Sequence, residues 1–178
     1  MPPSNHPASP EGCATVPAAV YLTKRTRNPH PSPQSGVKTV SLMMFLNLPV
    51  TDLDRSKQFY VDLGFTVNPQ FTDDTAACIV LDDDHLFVML LTHESFARFT
   101  DKPIVDSTTT TAGIYSLSAD SRADVDELAD KALESGGSFS NEPMDMGFMY
   151  GRSFQDPDGH LWEVVYMDMS AVPEDVHE

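Results

Sequence analysis

Basic residues are scarce in this sequence, and long apolar runs are absent. Its 178 residues include 11 Lys and Arg against 27 Asp and Glu, a formal net charge of −16 at pH 7. Four basic residues precede residue 39, so residues 39–178 carry seven basic and 26 acidic side chains. Such a surface repels phosphate backbones, which argues against a nucleic acid partner. No stretch of about 18 apolar residues occurs, so no membrane-spanning helix is predicted.

Cysteine is also rare. Cys13 lies in a Pro- and Ser-rich segment and Cys78 in an apolar run. The two therefore predict neither a disulfide framework nor a cysteine metal cluster. The start of the chain lacks the basic and apolar regions of a secretory signal. These features together favour a reducing, cytoplasmic location.

Proline is concentrated near the N-terminus, where residues 1–38 hold eight of the 14 prolines. That composition, without a repeating apolar face, predicts a disordered tail. Residues 39–170 have the length and the apolar content of one compact domain. Residues 171–178 are predicted to form a short C-terminal tail.

The first half of the predicted domain, residues 40–92, has the pattern of one strand, one helix and three further strands. An apolar run of strand length comes first. Thr51 and Asp54 then form a capping box for a helix of about three turns, which Gly64 ends. Three strand-like runs follow, the last two joined by an acidic turn.

The second half, residues 112–168, repeats this order after a polar linker at 93–111. Ser121 and Asp124 cap its helix, and the turn DPDG precedes its last strand. An order that recurs after about 70 residues indicates an internal repeat. The sequence therefore predicts an α+β fold of two βαβββ modules, whose curved mixed sheets surround a shared cup.

Several motifs resemble a known family. FLNLPVTDLDRSKQFYVDLGF and DPDGHLWEVV are similar to the vicinal oxygen chelate (VOC) superfamily of glyoxalase I, bleomycin-resistance proteins and extradiol dioxygenases. GFMYGRSFQDPDGHLWEV and NPQFTDDTAACIV resemble its bacterial branch of predicted lactoylglutathione lyases. The resemblance implies a glyoxalase-like fold, a homodimer and a divalent metal held by the first and last strands of each module. In that chemistry the metal is a Lewis acid for paired substrate oxygens, and a carboxylate moves a proton.

The metal-ligand positions that the resemblance implies are mostly apolar in this chain. Glu163 matches the last-strand ligand of the second module. The two first-strand positions fall on Phe45 and Ile114. The fourth position falls on Val88, or on Leu90 if the register shifts by two. One carboxylate is fewer than the roughly three protein ligands that tight divalent binding needs.

The cup is therefore predicted to be an apolar pocket with a few polar points, as in sites for small organic molecules. Its predicted lining is Phe45, Asn47, Val88 or Leu90, Ile114, Ser116, Tyr150, Arg152 and Glu163. Arg152 is either the partner of Glu163 across the sheet, an anchor for an anionic substrate or a surface arginine. Asn47 either contacts the ligand or satisfies backbone groups at its strand end.

Two classes of function stay open at this point. One is a glyoxalase-like or dioxygenase-like enzyme for a small oxygenated or thiol-conjugated molecule, with Glu163 as general base or residual metal ligand. The other is a metal-free protein that resembles the bleomycin-resistance branch and sequesters a ligand, for which the acidic surface would suit a cation. A purely structural role for Glu163 is also open. Met144, Met146 and Met149 are predicted to form either ordinary core, which is favoured, or a flexible pocket lid.

Overall fold

The structure is a computed structural model that describes residues 42–83 and 85–173. The predicted tail at 1–38 and most of the predicted tail at 171–178 lie outside the described residues. The elements are β1 (Met44–Val50), α1 (Leu53–Asp62), β2 (Thr66–Asn68), a 3-10 turn (Pro69–Phe71), β3 (Ala76–Asp82), β4 (Leu86–Thr92), α2 (His93–Phe96), β5 (Ile114–Ser118), α3 (Arg122–Glu134), β6 (Ser138–Phe139), β7 (Met144–Asp145), β8 (Met149–Gln155) and β9 (Leu161–Met167). In this part of the chain no helix is long and apolar enough to cross a membrane.

The strands form two mixed sheets built on one plan. Sheet A has the order β1-β4-β3-β2, and sheet B has the order β5-β9-β8-β6, with β7 also paired to β8. The first strand of each module is parallel to the last, and the other pairs are antiparallel. A helix follows the first strand in each module. The predicted α+β fold of two βαβββ modules is therefore confirmed.

The two long helices begin at side-chain caps. Ser121 caps α3 as predicted, because its hydroxyl accepts a hydrogen bond from the backbone N–H of Asp124 at 3.2 Å. At α1 the cap is Asp52, which accepts from the N–H of Arg55 at 3.0 Å. The prediction of Thr51 as cap is wrong by one residue, because the Thr51 hydroxyl bonds to Asp158 instead.

Each sheet has an inner face, which packs against the helices, and an outer face. The inner faces of both sheets join α1 and α3 in one core, because side chains on a strand alternate between its two faces. Its buried members are Leu48, Val50, Phe59, Tyr60, Leu63, Ala77, Ile79, Val88, Leu90, Val125, Ala132, Phe154, Trp162 and Val164. The outer faces therefore point away from this shared core.

A buried carboxylate joins the two modules. Asp158, in the turn between β8 and β9, accepts hydrogen bonds from the N–H of Thr51 at 2.8 Å and from its hydroxyl at 2.6 Å. Arg55 donates at 3.0 Å, and the Ser56 hydroxyl donates as well. Burial opposes ionisation, but the hydrogen bonds from Ser56 and Thr51 and the charge of Arg55 outweigh it and lower the pKa of Asp158. The first turn of α1 is thus held by the second module.

The neighbours of Asp158 strengthen the same joint. Asp156 accepts a hydrogen bond from the hydroxyl of Tyr60 at 2.7 Å. The Nε2–H of His160 donates to the backbone oxygen of Pro49 at 2.9 Å. Both turn residues are buried, so these bonds compensate for their desolvation. The DPDGH turn therefore has a structural role.

Candidate ligand-binding site

Glu163 lies on the outer face of sheet B, in the middle of a polar row. Its register partners are Ser116 on β5 and Ser153 on β8. The Ser116 hydroxyl donates to Glu163 Oε2 at 2.8 Å. No other hydrogen bond to Glu163 occurs among the described residues, which leaves its Oε1 available to a ligand.

The surroundings of this carboxylate are largely apolar. Leu161 and Val165 flank Glu163 on its own strand, and Ile114 lies beside Leu161 with 55% of its surface exposed. Gly151, opposite Val165, leaves a notch in the face. A Cβ at this glycine would lie 3.5 Å from Val165 Cγ2 and 3.9 Å from the Cε of Met144. The half-buried carboxylate thus has aliphatic and thioether neighbours.

Along β1 and β4, the outer face of sheet A is mostly apolar, with the Asn47 amide as its polar group. The rings of Phe45 and Phe87 stack with centroids 5.0 Å apart. Asn47 on β1, Met89 on β4 and Cys78 on β3 follow one another as register partners across this face. The Asn47 amide donates to the backbone oxygen of Phe45 at 3.2 Å. Asn47 therefore satisfies a backbone group, one of its two predicted roles.

The two outer faces do not meet within one chain. Phe45 is 49% exposed, and Asn47, Ile114 and Ser116 are exposed as well. Since the inner faces share one core, each outer face is an open surface. The described residues do not enclose the predicted cup, although the residues predicted from both first strands and from β9 do lie on outer faces.

Arg152 and Tyr150 are not part of either outer face. Both lie on the inner face of sheet B, where Arg152 bonds to Asp126 at 3.1 Å and to Asp130 at 2.8 Å. The Tyr150 hydroxyl donates to Asp126 at 2.8 Å. The prediction that Arg152 pairs with Glu163 is therefore wrong, and so is the prediction that Arg152 and Tyr150 line the pocket. The spacing of Asp126 and Asp130, four residues apart on one face of α3, is the sequence feature that could have predicted this arrangement.

Arg122 is a second arginine with a structural task that sequence reasoning missed. It bonds to both carboxylate oxygens of Asp145, at 2.6 and 2.8 Å, and to the backbone oxygen of Gly147 at 3.0 Å. Hydrogen bonds from Arg122 lower the pKa of Asp145 to about 2. This pair holds the β7 strand at the border of the sheet B outer face. Met144 and Met146 on this segment are 42% and 54% exposed, so their assignment to the core is wrong.

Comparison with known families accounts for this architecture. The family model described as Glyoxalase/Bleomycin resistance protein/Dioxygenase superfamily matches residues 42–164. The chain belongs to this superfamily. No protein of curated function matches it.

Solved structures of superfamily members and related proteins show the same glyoxalase-like fold. A hypothetical protein from S. aureus is 29% identical, with a TM-score of 0.60 over 74% of this chain and 95% of that chain. A glyoxylase/bleomycin resistance protein/dioxygenase domain from Frankia sp. is 25% identical, with a TM-score of 0.53 over 76% and 93%. A family enzyme from Burkholderia phytofirmans is 16% identical, with a TM-score of 0.57 over 69% and 96%.

This superfamily member lacks the donor set of a divalent-metal site. Phe45 pairs with Phe87 in the first module, and Ile114 pairs with Leu161 in the same way in the second. Two residues further along these strands, Asn47 pairs with Met89 and Ser116 pairs with Glu163. The counterpart of Glu163 is therefore Met89. The prediction of Val88 or Leu90 is wrong, since both are fully buried on the inner face.

The four family positions thus hold two apolar side chains, one thioether and one carboxylate. Oxygen and imidazole donors suit Mg²⁺, Mn²⁺, Ni²⁺ and Zn²⁺, whereas a thioether suits Cu(I). Among the described residues no group of three His, Cys, Asp or Glu side chains is placed to hold a metal ion. The residues present do not fit the metal that the superfamily implies.

Proposed function

We propose that this protein is a metal-free member of the superfamily that binds a small, largely apolar molecule on its outer faces. The observation that carries the proposal is the replacement of three of the four ligand positions by Phe45, Ile114 and Met89 around a single carboxylate, Glu163. Apolar walls with a few placed polar groups are typical of sites for organic ligands.

The proposal includes a cytoplasmic homodimer in which a second copy encloses each site. An open sheet face with partly exposed Phe45 and Ile114 buries little of a ligand on its own. Apposing the outer face of sheet A to that of sheet B from another copy would remove this apolar surface from water. Each enclosed site would then combine aromatic rings from one chain with Glu163 from the other.

A second candidate is proton transfer on a small oxygenated or thiol-conjugated substrate. The hydrogen bond from Ser116 to Oε2 supports it, because it orients the carboxylate and leaves Oε1 free to act as a general base. Glu163→Gln keeps the size of the side chain and removes its basicity. Under this candidate the variant loses turnover, whereas under simple binding it changes affinity only.

Three measurements on the purified full chain test the proposal. Elemental analysis should find no stoichiometric divalent metal, before or after titration with Ni²⁺, Zn²⁺, Mn²⁺ and Fe²⁺. Sedimentation velocity should give a dimer, and Phe45→Asp should shift it towards monomer. An NMR fragment screen should perturb amides of β5 and β9. One metal per chain would overturn the metal-free function, and a monomeric wild type would overturn the enclosed site.

A further inference from the structure

Among the described residues, Glu163 is the only carboxylate or basic side chain at a strand position on the outer face of either sheet. The other outer-face positions of β5, β8 and β9 carry serine, glycine, glutamine or apolar side chains. The outer face of sheet A contributes aromatic rings, Met89 and the Asn47 amide, whereas the Cys78 thiol on this face is buried. The site therefore has a charge of one sign and nothing within it to balance that charge.

Nearly all Lys and Arg side chains of the described residues are committed elsewhere. Six of the seven form ion pairs with other carboxylates: Arg55 with Asp158, Lys57 with Asp54, Arg98 with Glu94, Arg122 with Asp145, Lys131 with Glu127, and Arg152 with Asp126 and Asp130. The seventh, Lys102, forms no ion pair within 4.0 Å in this part of the chain. Glu163 is therefore left with the Ser116 hydroxyl as its protein donor.

From these observations we infer that Glu163 is the receptor for a positively charged nitrogen, and that the ligand is an apolar, ring-bearing amine or quaternary ammonium. This inference rests on the proposed function and names its ligand class. Oε1 accepts the N–H of an amine, or lies against the methyl groups of a quaternary nitrogen. Once a second copy covers this face, apolar neighbours such as Leu161 and Val165 exclude water and so strengthen the attraction.

The rest of the site suits the same ligand. In the proposed dimer, the stacked rings of Phe45 and Phe87 from the second copy offer an apolar surface beside Glu163, and ring faces attract cations. An anionic ligand would meet Glu163 without any cation to offset the repulsion. A neutral ligand would leave a half-buried carboxylate without a charged partner.

The test compares matched pairs of probes that differ in charge. Pairs of this kind are 9-aminoacridine with acridine, and phenethylamine with 2-phenylethanol, each with one cationic member at pH 7.5. Binding to metal-stripped full-length protein is followed by fluorescence titration and by amide shifts in residues 114–118 and 161–167. Glu163→Gln removes the charge on the outer face. Glu142→Gln, at an exposed position in the β6–β7 loop, changes the net charge equally and serves as control.

The expected result is a preference of about tenfold for the cation over its neutral counterpart, or about 1.4 kcal/mol, as for a charge-assisted hydrogen bond. Glu163→Gln should abolish this preference and Glu142→Gln should keep it. The preference should also survive in 0.5 M NaCl, because salt at roughly that concentration screens diffuse surface attraction more than a direct contact.

The outcomes separate the inference from the function beneath it. If cations and neutral probes bind equally, or if the preference persists in Glu163→Gln, the inference is wrong while small-molecule binding stands. If only neutral probes bind, the same conclusion follows. If no probe and no fragment shifts the two strands, both the inference and the proposed function fall. A stoichiometric divalent metal that displaces the amines overturns both as well.

Discussion

The outer faces of sheet A and sheet B differ far more than the modules that carry them. Both sheets have one strand order, and both inner faces are apolar parts of one core. On the outer side, sheet A presents the Phe45 and Phe87 rings with Met89, whereas sheet B presents Glu163 between two serines. Packing in the shared core constrains both inner faces in the same way. The two modules therefore differ on their outer faces, where the proposed ligand binds. In the site proposed above, sheet A therefore contributes an apolar surface, and sheet B contributes a carboxylate among aliphatic neighbours.

The largest expected effect comes from removing the Asp158 carboxylate, which joins the two modules. Asp158→Ala leaves the donors of Thr51, Ser56 and Arg55 without their buried acceptor. We expect the free energy of unfolding to fall by about 3 to 4 kcal/mol, measured by urea denaturation. Asp54→Ala removes an exposed carboxylate paired with Lys57 and should cost less than about 1 kcal/mol. Similar losses in both variants would contradict the role assigned to Asp158.

The next largest loss of stability is expected from a substitution in β4, and it shows which β4 residues face the core. Leu90→Ala should destabilise the protein by about 2 to 3 kcal/mol, because Leu90 is fully buried on the inner face. Met89→Ala changes the outer face and should cost less than about 1 kcal/mol while weakening ligand binding. Thermal and urea unfolding of the two neighbours measure the contrast. Equal costs would mean that the register of β4 is not the one described.

A smaller effect concerns pH. The folded pKa of Asp158 lies below its unfolded value, so the ionised form contributes stability that is fully present above the unfolded pKa of about 4. That contribution is lost as the pH falls through the folded pKa. We expect the wild type to lose stability below about pH 4 more steeply than Asp158→Asn, which has no charge to lose. Urea midpoints measured between about pH 3 and pH 6 give the comparison, and parallel curves would exclude Asp158 as the titrating group.

The smallest effect on stability should come from Glu163 itself. Within residues 42–83 and 85–173 its one hydrogen bond is to an exposed serine, so Glu163→Gln should change the free energy of unfolding by less than about 0.5 kcal/mol. The control is Ser116→Ala, which removes the same bond from the other side. A loss of several kcal/mol in Glu163→Gln would make this carboxylate structural and would remove the contrast between the two outer faces.

The elements and the Ser121 cap were predictable because their signals are local. The alternation of YGRSF likewise places Arg152 and Phe154 on one face, opposite Ser153, and the register agrees. Alternation could not tell which of those faces points to α3, where Asp126 and Asp130 bind Arg152. The orientation of a strand depends on what packs against it, and this is not encoded in the strand.

The error at β4 has a different cause. The sequence LFVMLLT is apolar throughout, so it has no alternation from which to assign a face. His85 and His160 each stand directly before the last strand of their module, and aligning the two repeats through them shifts β4 by one residue. The reason is that Leu86 pairs with Met44, whereas Leu161 pairs with Ile114, the counterpart of Phe45. A shift of one residue exchanges the two faces of a strand. Val88 and Leu90 were thereby assigned to a pocket in place of Met89.

The sequence by itself determined the α+β order of two βαβββ modules and the position of Glu163 as a lone carboxylate on the last strand. Apolar periodicity, helix caps and turn residues act over a few positions, so they can be read directly from the chain. Only the tertiary structure decided that Asp158 joins the modules, that Arg152 faces α3 and that the two outer faces lie apart. Those outcomes depend on pairing and packing between distant residues, such as Thr51 and Asp158, which are 107 positions apart. Contacts over such distances follow from how sheets and helices pack.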